Sequence, residues 1–101
     1  MPYKIKPSVK AKADFKEYID YIKTECGMPM TAAKHYDGLL ECFEFLKKNP
    51  LLNPIRNTPS LRQFGMNVRR KNFKKMAIIY TVNGDIVYTH RIVAASMITG
   101  L

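Results

Sequence analysis

Hydrophobic and polar positions change period along the chain, and each change marks an element. Tyr3-Lys4-Ile5-Lys6 alternates apolar with polar, which predicts a short strand with one buried face. Pro7 stops it, and Ser8 stands where a helix N-cap belongs. From Val9 to about Cys26 the apolar residues Phe15, Tyr18, Ile19, Ile22 and Cys26 recur at three- and four-residue steps among lysines and acids, the pattern of an amphipathic helix. Gly27 and Pro29 end it. Thr31 is the next N-cap expected, and Ala33, Tyr36, Leu39, Leu40, Phe43 and Leu46 trace a second apolar stripe up to Lys47-Lys48. Lysines in a last turn complement the helix dipole, and Asn49-Pro50 closes the helix. A connection this short predicts an antiparallel helical hairpin whose stripes need a further surface to cover.

Residues 49–61 carry Pro50, Pro54 and Pro59 with three asparagines and read as an extended loop. A strand is expected around Phe64–Arg70. The strongest local signal follows: Met76 to Val82, then Asn83-Gly84, then Asp85 to Val93. Asn-Gly between two β-rich runs predicts a type I′ hairpin, since both turn residues must take positive φ. In that register Val82 faces Asp85, Tyr80 faces Val87, Ile78 faces Thr89 and Met76 faces Arg91, with Ala77 and His90 paired on the other side. His90 and Arg91 then point to opposite faces. The order is β-α-α-β-β-β, an α+β fold with a helical hairpin packed on a small antiparallel sheet. The 101 residues suffice for one domain, 1–101, with no internal repeat.

Composition narrows the class. Hydrophobic residues make up 47%, which argues against disorder. The longest apolar run falls far short of the ~20 residues a membrane helix needs, so no membrane partner is expected. No charged-then-apolar leader opens the chain, and Cys26 and Cys42 form neither a metal spacing nor a dense disulfide pattern. A reduced, cytoplasmic location is expected. The net charge of +9 is unevenly distributed. Residues 1–50 hold nine lysines and seven acids, while residues 51–101 hold three lysines, all five arginines and one acid, Asp85. No acidic side chain stands between Phe45 and Gly84. This asymmetry points to a polyanion or an acidic partner meeting the second half, or to a solvated basic face.

Four features carry possible chemistry. His90 has an unperturbed pKa near working pH and reads either as a general acid or base or as a half-buried strand histidine with one satisfied hydrogen bond. Arg91 reads as a phosphate clamp or as an edge arginine lying along Met76. Tyr80 and Tyr88 read chiefly as packing residues. Arg69-Arg70-Lys71-Asn72-Phe73-Lys74-Lys75 places five cations in seven residues around an expected turn, with Lys71 to Lys75 exposed and Phe73 available to stack on a base. Arg62 joins this set as a nucleic-acid or partner contact. His35 is a surface or boundary residue of the second helix. There is no glycine-rich phosphate loop, paired-carboxylate site or Cys/His metal constellation, so neither metal nor cofactor is expected.

Taken in order, Tyr3-Lys4-Ile5, Ser8, Asp14-Phe15, Tyr18-Ile19-Tyr21-Ile22, Pro29, Ala32-Ala33, Leu46 and Pro50 resemble the opening of the RelE/ParE superfamily of bacterial type II toxins, ParE-like branch. Gly65, Arg69-Arg70, Ile78-Ile79-Tyr80, Val82, Asp85 to Tyr88 and His90-Arg91-Ile92 resemble its terminal strands. The resemblance implies a small toxin neutralised by a partly disordered, usually acidic antitoxin encoded beside it. ParE-like members act on DNA gyrase. RelE-like members are metal-independent endoribonucleases that cleave messenger RNA on the ribosome, and for them the resemblance assigns Arg69, His90 and Arg91 as catalytic. Many members end in a His-Gly-x-Arg type stretch, which is Ala94-Ala95-Ser96-Met97 here. The resemblance therefore implies a ParE-like growth inhibitor acting on gyrase, with the ribonuclease as alternative and an inactive homologue or basic nucleic-acid-binding module as a further one.

Overall fold

The N-terminal alternation forms β1 (Lys4–Pro7), and Ser8 caps the helix that follows, its hydroxyl accepting from the Ala11 amide at 2.9 Å. The same hydroxyl donates to the His90 carbonyl at 2.7 Å, which ties the start of the helix to the last strand. These details come from a computed structural model that describes residues 3–97. Helix α1 (Val9–Asp20) widens into a π-helical turn over Tyr21–Glu25. There the Cys26 amide reaches back five residues to Tyr21, and the Thr24 hydroxyl takes the Asp20 carbonyl at 2.7 Å. Gly27, at φ +62°, makes the reversal into α2 (Pro29–Lys48).

Pro29 opens α2 rather than preventing it, because a first-turn amide has no helical partner to lose. Thr31 thus lies inside the helix, and Met28 occupies the cap position without a side-chain bond. The hairpin is antiparallel: the Phe15 ring meets Tyr36 edge-on at 5.3 Å and stacks on Phe43 at 6.1 Å, while Tyr18 meets His35 nearer the turn.

The loop after α2 contains a short helix, α3 (Pro59–Arg62), and Ile55 makes an isolated bridge to Arg69. The strand expected over Phe64–Arg70 instead runs as β2 (Arg69–Phe73). Gly65 and Asn67 take positive φ, which breaks extended backbone before Val68. Lys71 accordingly belongs to the strand, and the turn narrows to Lys74-Lys75. Strands β3 (Met76–Asn83) and β4 (Ile86–Ala94) complete a sheet of order β1-β4-β3-β2, with a single 3₁₀ turn at Ala95–Met97. The architecture is the expected α+β order β-α-α-β-β-β. Its hairpins are antiparallel, and β1 pairs with β4 in parallel, so the sheet is mixed.

The last hairpin departs from the expected register. Asn83 pairs with Ile86, leaving Gly84-Asp85 as the turn, and of these two only Gly84 has positive φ. That is the type II′ pattern rather than type I′. Val82 consequently faces Val87 instead of Asp85, joining two apolar side chains across the strands. A bulge between Ile79 and Tyr80 then shifts the pairing, so that Tyr80 faces Thr89 but Ile79 faces Arg91, leaving His90 as the extra residue.

Strand β3 is buried on both sides. Ile78 and Tyr80 join Leu39, Cys42, Leu46, Val87 and Ile92 beneath the helices, while Ala77 and Ile79 join Leu61 and Val68 beneath α3. Among the described residues no helix is long and apolar enough to cross a membrane.

Candidate functional site

The arginines that the sequence concentrates in the second half are largely occupied within the fold. Arg91 donates through Nε at 2.7 Å and through Nη2 at 3.0 Å to the two oxygens of Asp14 on α1. The same carboxylate accepts the Ile92 amide at 3.0 Å, so one acid satisfies a guanidinium fork and an amide on the outer edge of β4. Asp14 holds the Arg91 proton more tightly than usual. Arg91 therefore does not lie along Met76 as a free cation.

Arg69 bonds the carbonyls of Leu51 and Asn53, and beside it the Tyr80 hydroxyl donates to Pro50 at 2.6 Å and accepts from Asn53 at 3.0 Å. Together they fasten the loop after α2 to the end of the sheet. Burial raises the Tyr80 pKa, keeping it a neutral phenol. Arg70 is 8% exposed and bonds Asn72 through Nε at 2.9 Å. Lys71 lies over the Phe45 ring, 4.3 Å from its centroid, rather than in an exposed turn.

Phe73 packs against α2 while staying part-exposed. Its ring meets His35 edge-on at 5.7 Å and lies so close to α2 that a Cβ on Gly38 would sit 2.5 Å from two ring atoms. This close approach explains a glycine in mid-helix. Of the expected binding residues, Arg62, Lys74 and Lys75 remain exposed.

The bulge has one chemical consequence. His90 and Arg91, expected on opposite faces, line one cleft of about 520 Å³ with Ser8, Val9, Lys10, Gln63 and Phe64. His90 stacks on Phe64 at 6.2 Å and shares a 2.8 Å hydrogen bond with the Thr81 hydroxyl through Nε2. Burial lowers its pKa, favouring the neutral ring. Arg69 is not part of this cleft. It pairs with Tyr80, two strand spacings from β4, or ~10 Å of backbone separation. The three candidate catalytic residues thus divide into a His90–Arg91 pair and a remote Arg69.

Sequence reasoning missed Asp14 as the partner of Arg91, Thr81 and Phe64 as partners of His90, and Asn53 as a partner of Arg69 and Tyr80. Asp14 and Arg91 are 77 residues apart, and Phe64 and Asn53 also reach their partners from separate segments, so periodicity carries no signal for them. Thr81 and His90 are nine apart in one hairpin, and their meeting depends on the bulge. Among the described residues no group of three or more His, Cys, Asp or Glu is placed to hold a metal.

The family model described as "ParE toxin of type II toxin-antitoxin system, parDE" matches residues 5–99. The fold is similar to a chain of the chromosomal ParDE toxin-antitoxin system from P. aeruginosa. That likeness has a TM-score of 0.68 at 21% identity and covers 91% of this chain and 95% of that one. No curated protein matches.

Proposed function

We propose that this chain, which belongs to the ParE toxin family of type II toxin-antitoxin systems, arrests growth by acting on DNA gyrase in the cytoplasm and is neutralised by a cognate antitoxin. The observation that supports an inhibitor over a nuclease is the occupation of the candidate catalytic groups. Arg91 is clamped by Asp14, Arg69 holds loop carbonyls about two strands away, and burial keeps His90 neutral against Thr81. A protein that acts by docking needs no convergent proton donor and phosphate clamp.

The antitoxin reading rests on family membership and on charge. An acidic segment gains steering from the basic second half, with Arg62, Lys74 and Lys75 as its exposed contacts. Complex formation is expected to weaken as salt rises, and an affinity indifferent to salt would remove the charged contact from the account.

Induction in bacteria while following labelled thymidine and labelled amino acids separately tests the target. Replication is expected to stop first, and the purified protein is expected to inhibit gyrase in a supercoiling assay. One observation favours a second reading as a metal-independent ribonuclease: His90, Arg91 and Lys10 share a cleft. An early stop in translation, relieved by His90→Ala, would replace the gyrase reading with that one.

A further inference from the structure

Two arginines stand at diagonal positions of adjacent extended segments with no acid to balance them. The Arg56 amide donates to the Val68 carbonyl at 2.7 Å, and the adjacent Ile55–Arg69 bridge sets the loop antiparallel to the start of β2. Arg56 and Arg70 thereby become diagonal neighbours, and burial, with the Arg56 charge second to it, loosens the hold of Arg70 on its proton. Arg70 is 8% exposed, yet its Nη1 has no hydrogen-bond partner among the described residues, and neither has the buried Nε of Arg56. The buried hydroxyl of Thr58, two residues on, is also unpartnered. Neither guanidinium meets a carboxylate among the described residues, and no acid occurs between Phe45 and Gly84. Burying one guanidinium beside a part-buried second, each with a vacant donor, is costly, and a counter-ion relieves both costs at once.

We propose that Arg56 and Arg70 form a binding site for a doubly charged tetrahedral oxyanion, either inorganic phosphate or the phosphate group of a monoester. Two positive charges match the charge of about −1.5 to −2 on a phosphate monoester near neutral pH, whereas a carboxylate balances only one. Vacant N–H groups on separate side chains suit an anion whose acceptor oxygens diverge from one centre. Arg56 is part-exposed and gives the anion its approach from solvent. Next to it, Asn57 and Asn67 line a cleft of about 450 Å³ with Arg62. The proposal is independent of which cellular target the toxin meets.

Melting of the full chain in chloride, acetate, inorganic phosphate and glycerol 3-phosphate, at matched pH and ionic strength, tests it. Phosphate is expected to raise Tm by several degrees over chloride and acetate. A comparable rise with glycerol 3-phosphate assigns the site to monoesters, and no such rise assigns it to the free anion. Arg56→Lys keeps the charge but loses the Nε donor, so it is expected to forfeit at least half of the gain. Lys23→Gln, which removes an exposed charge from the π-helical turn of the helical hairpin, is expected to keep it. Equal stabilisation by acetate, or equal losses in the two variants, would overturn the site in favour of general screening. The unmutated protein supplies a second readout, since the Nε–H resonance of Arg56 is expected to shift as phosphate is added. A resonance that stays put refutes the proposal even where Arg56→Lys fails to fold.

Discussion

The two faces of β3 are built by opposite means. Under the helices, Leu39, Cys42, Leu46, Ile78, Tyr80, Val87 and Ile92 form a continuous apolar core, flanked by further rings such as Phe15, Phe43 and Phe73. Under α3 and its loop, the buried apolar set shrinks to Leu61, Val68, Ala77 and Ile79, with Phe64 and Val93 beside it. Polar side chains take up the remaining space: buried Arg70, part-buried Arg56, and His90 against Thr81. A thin apolar supply leaves charged groups inside and donors without partners. On this molecule the unspent charged chemistry is therefore on the loop-covered face, while the helix-covered face, the unpartnered Thr89 hydroxyl apart, is spent on stability.

Truncating one large side chain on each face tests that difference most strongly. Leu39→Ala opens a void between a rigid helix and the central strands and is expected to cost about 4 kcal/mol, toward the upper end for such changes. Leu61→Ala empties a site walled by a four-residue helix and loop that can settle inward, and is expected to cost about 2 kcal/mol. Denaturant midpoints at constant slope provide the measurement. Equal losses would mean that the loop-covered face is as rigid as the other.

Asp14→Ala comes next, because it removes the carboxylate by which α1, beyond its Ser8 cap, holds the edge of β4. The variant frees the Arg91 fork and strands the Ile92 amide, at an expected cost of about 2 kcal/mol, with the ionic part discounted because Arg91 is 35% exposed. Asp14→Asn keeps an acceptor for the amide and is expected to recover part of that loss. If it recovers all, the charge contributes nothing there.

Much of the helix-covered face was legible in sequence, and the reason is periodicity. A stripe at three- and four-residue steps specifies both a helix and its buried side, so Phe15, Leu39 and Leu46 were found without coordinates. The other face was hidden because irregular backbone sets it. Positive φ at Gly65 and Asn67 delays β2, the turn choice at Gly84 moves the hairpin register, and the bulge at His90 turns it and Arg91 into one cleft. Charge asymmetry was visible in composition, but its cancellation by Asp14 was not, since that acid lies in the half of the chain with little net charge. Candidate residues were thus found by type, and their groupings depended on local backbone that no pattern of apolar positions encodes.

A smaller effect sharpens the boundary of the helix-covered face at its edge strand. Gly38→Ala gains about 1 kcal/mol of helix propensity but drives a methyl group into the Phe73 ring, where overpacking costs about 1–3 kcal/mol. A net loss of roughly 1 kcal/mol is expected from the difference of those two terms. Pairing it with Phe73→Leu is expected to return the propensity gain, and a double variant no better than the sum of the singles would show that the ring already yields.

The least effect, and the one that reads the loop-covered face directly, is the pH dependence at His90. Burial lowers its pKa below the ordinary 6.5, so between those two values the unfolded chain binds a proton that the folded chain declines. Stability contributed by the neutral ring is then fully present above about pH 7.5, falls as pH drops through 6.5, and levels off below the folded pKa. His90→Gln keeps a polar partner for the Thr81 hydroxyl but does not titrate, while His35 stays in both proteins and cancels in the comparison. The original chain is expected to lose more stability than the variant from pH 7.5 to 5.5, by a fraction of a kcal/mol after solvent screening. Parallel curves would mean that water reaches the ring from the cleft it shares with Lys10 and Arg91. The loop-covered face would then be open enough to solvate its charges, and the contrast between the two faces would be one of apolar area alone.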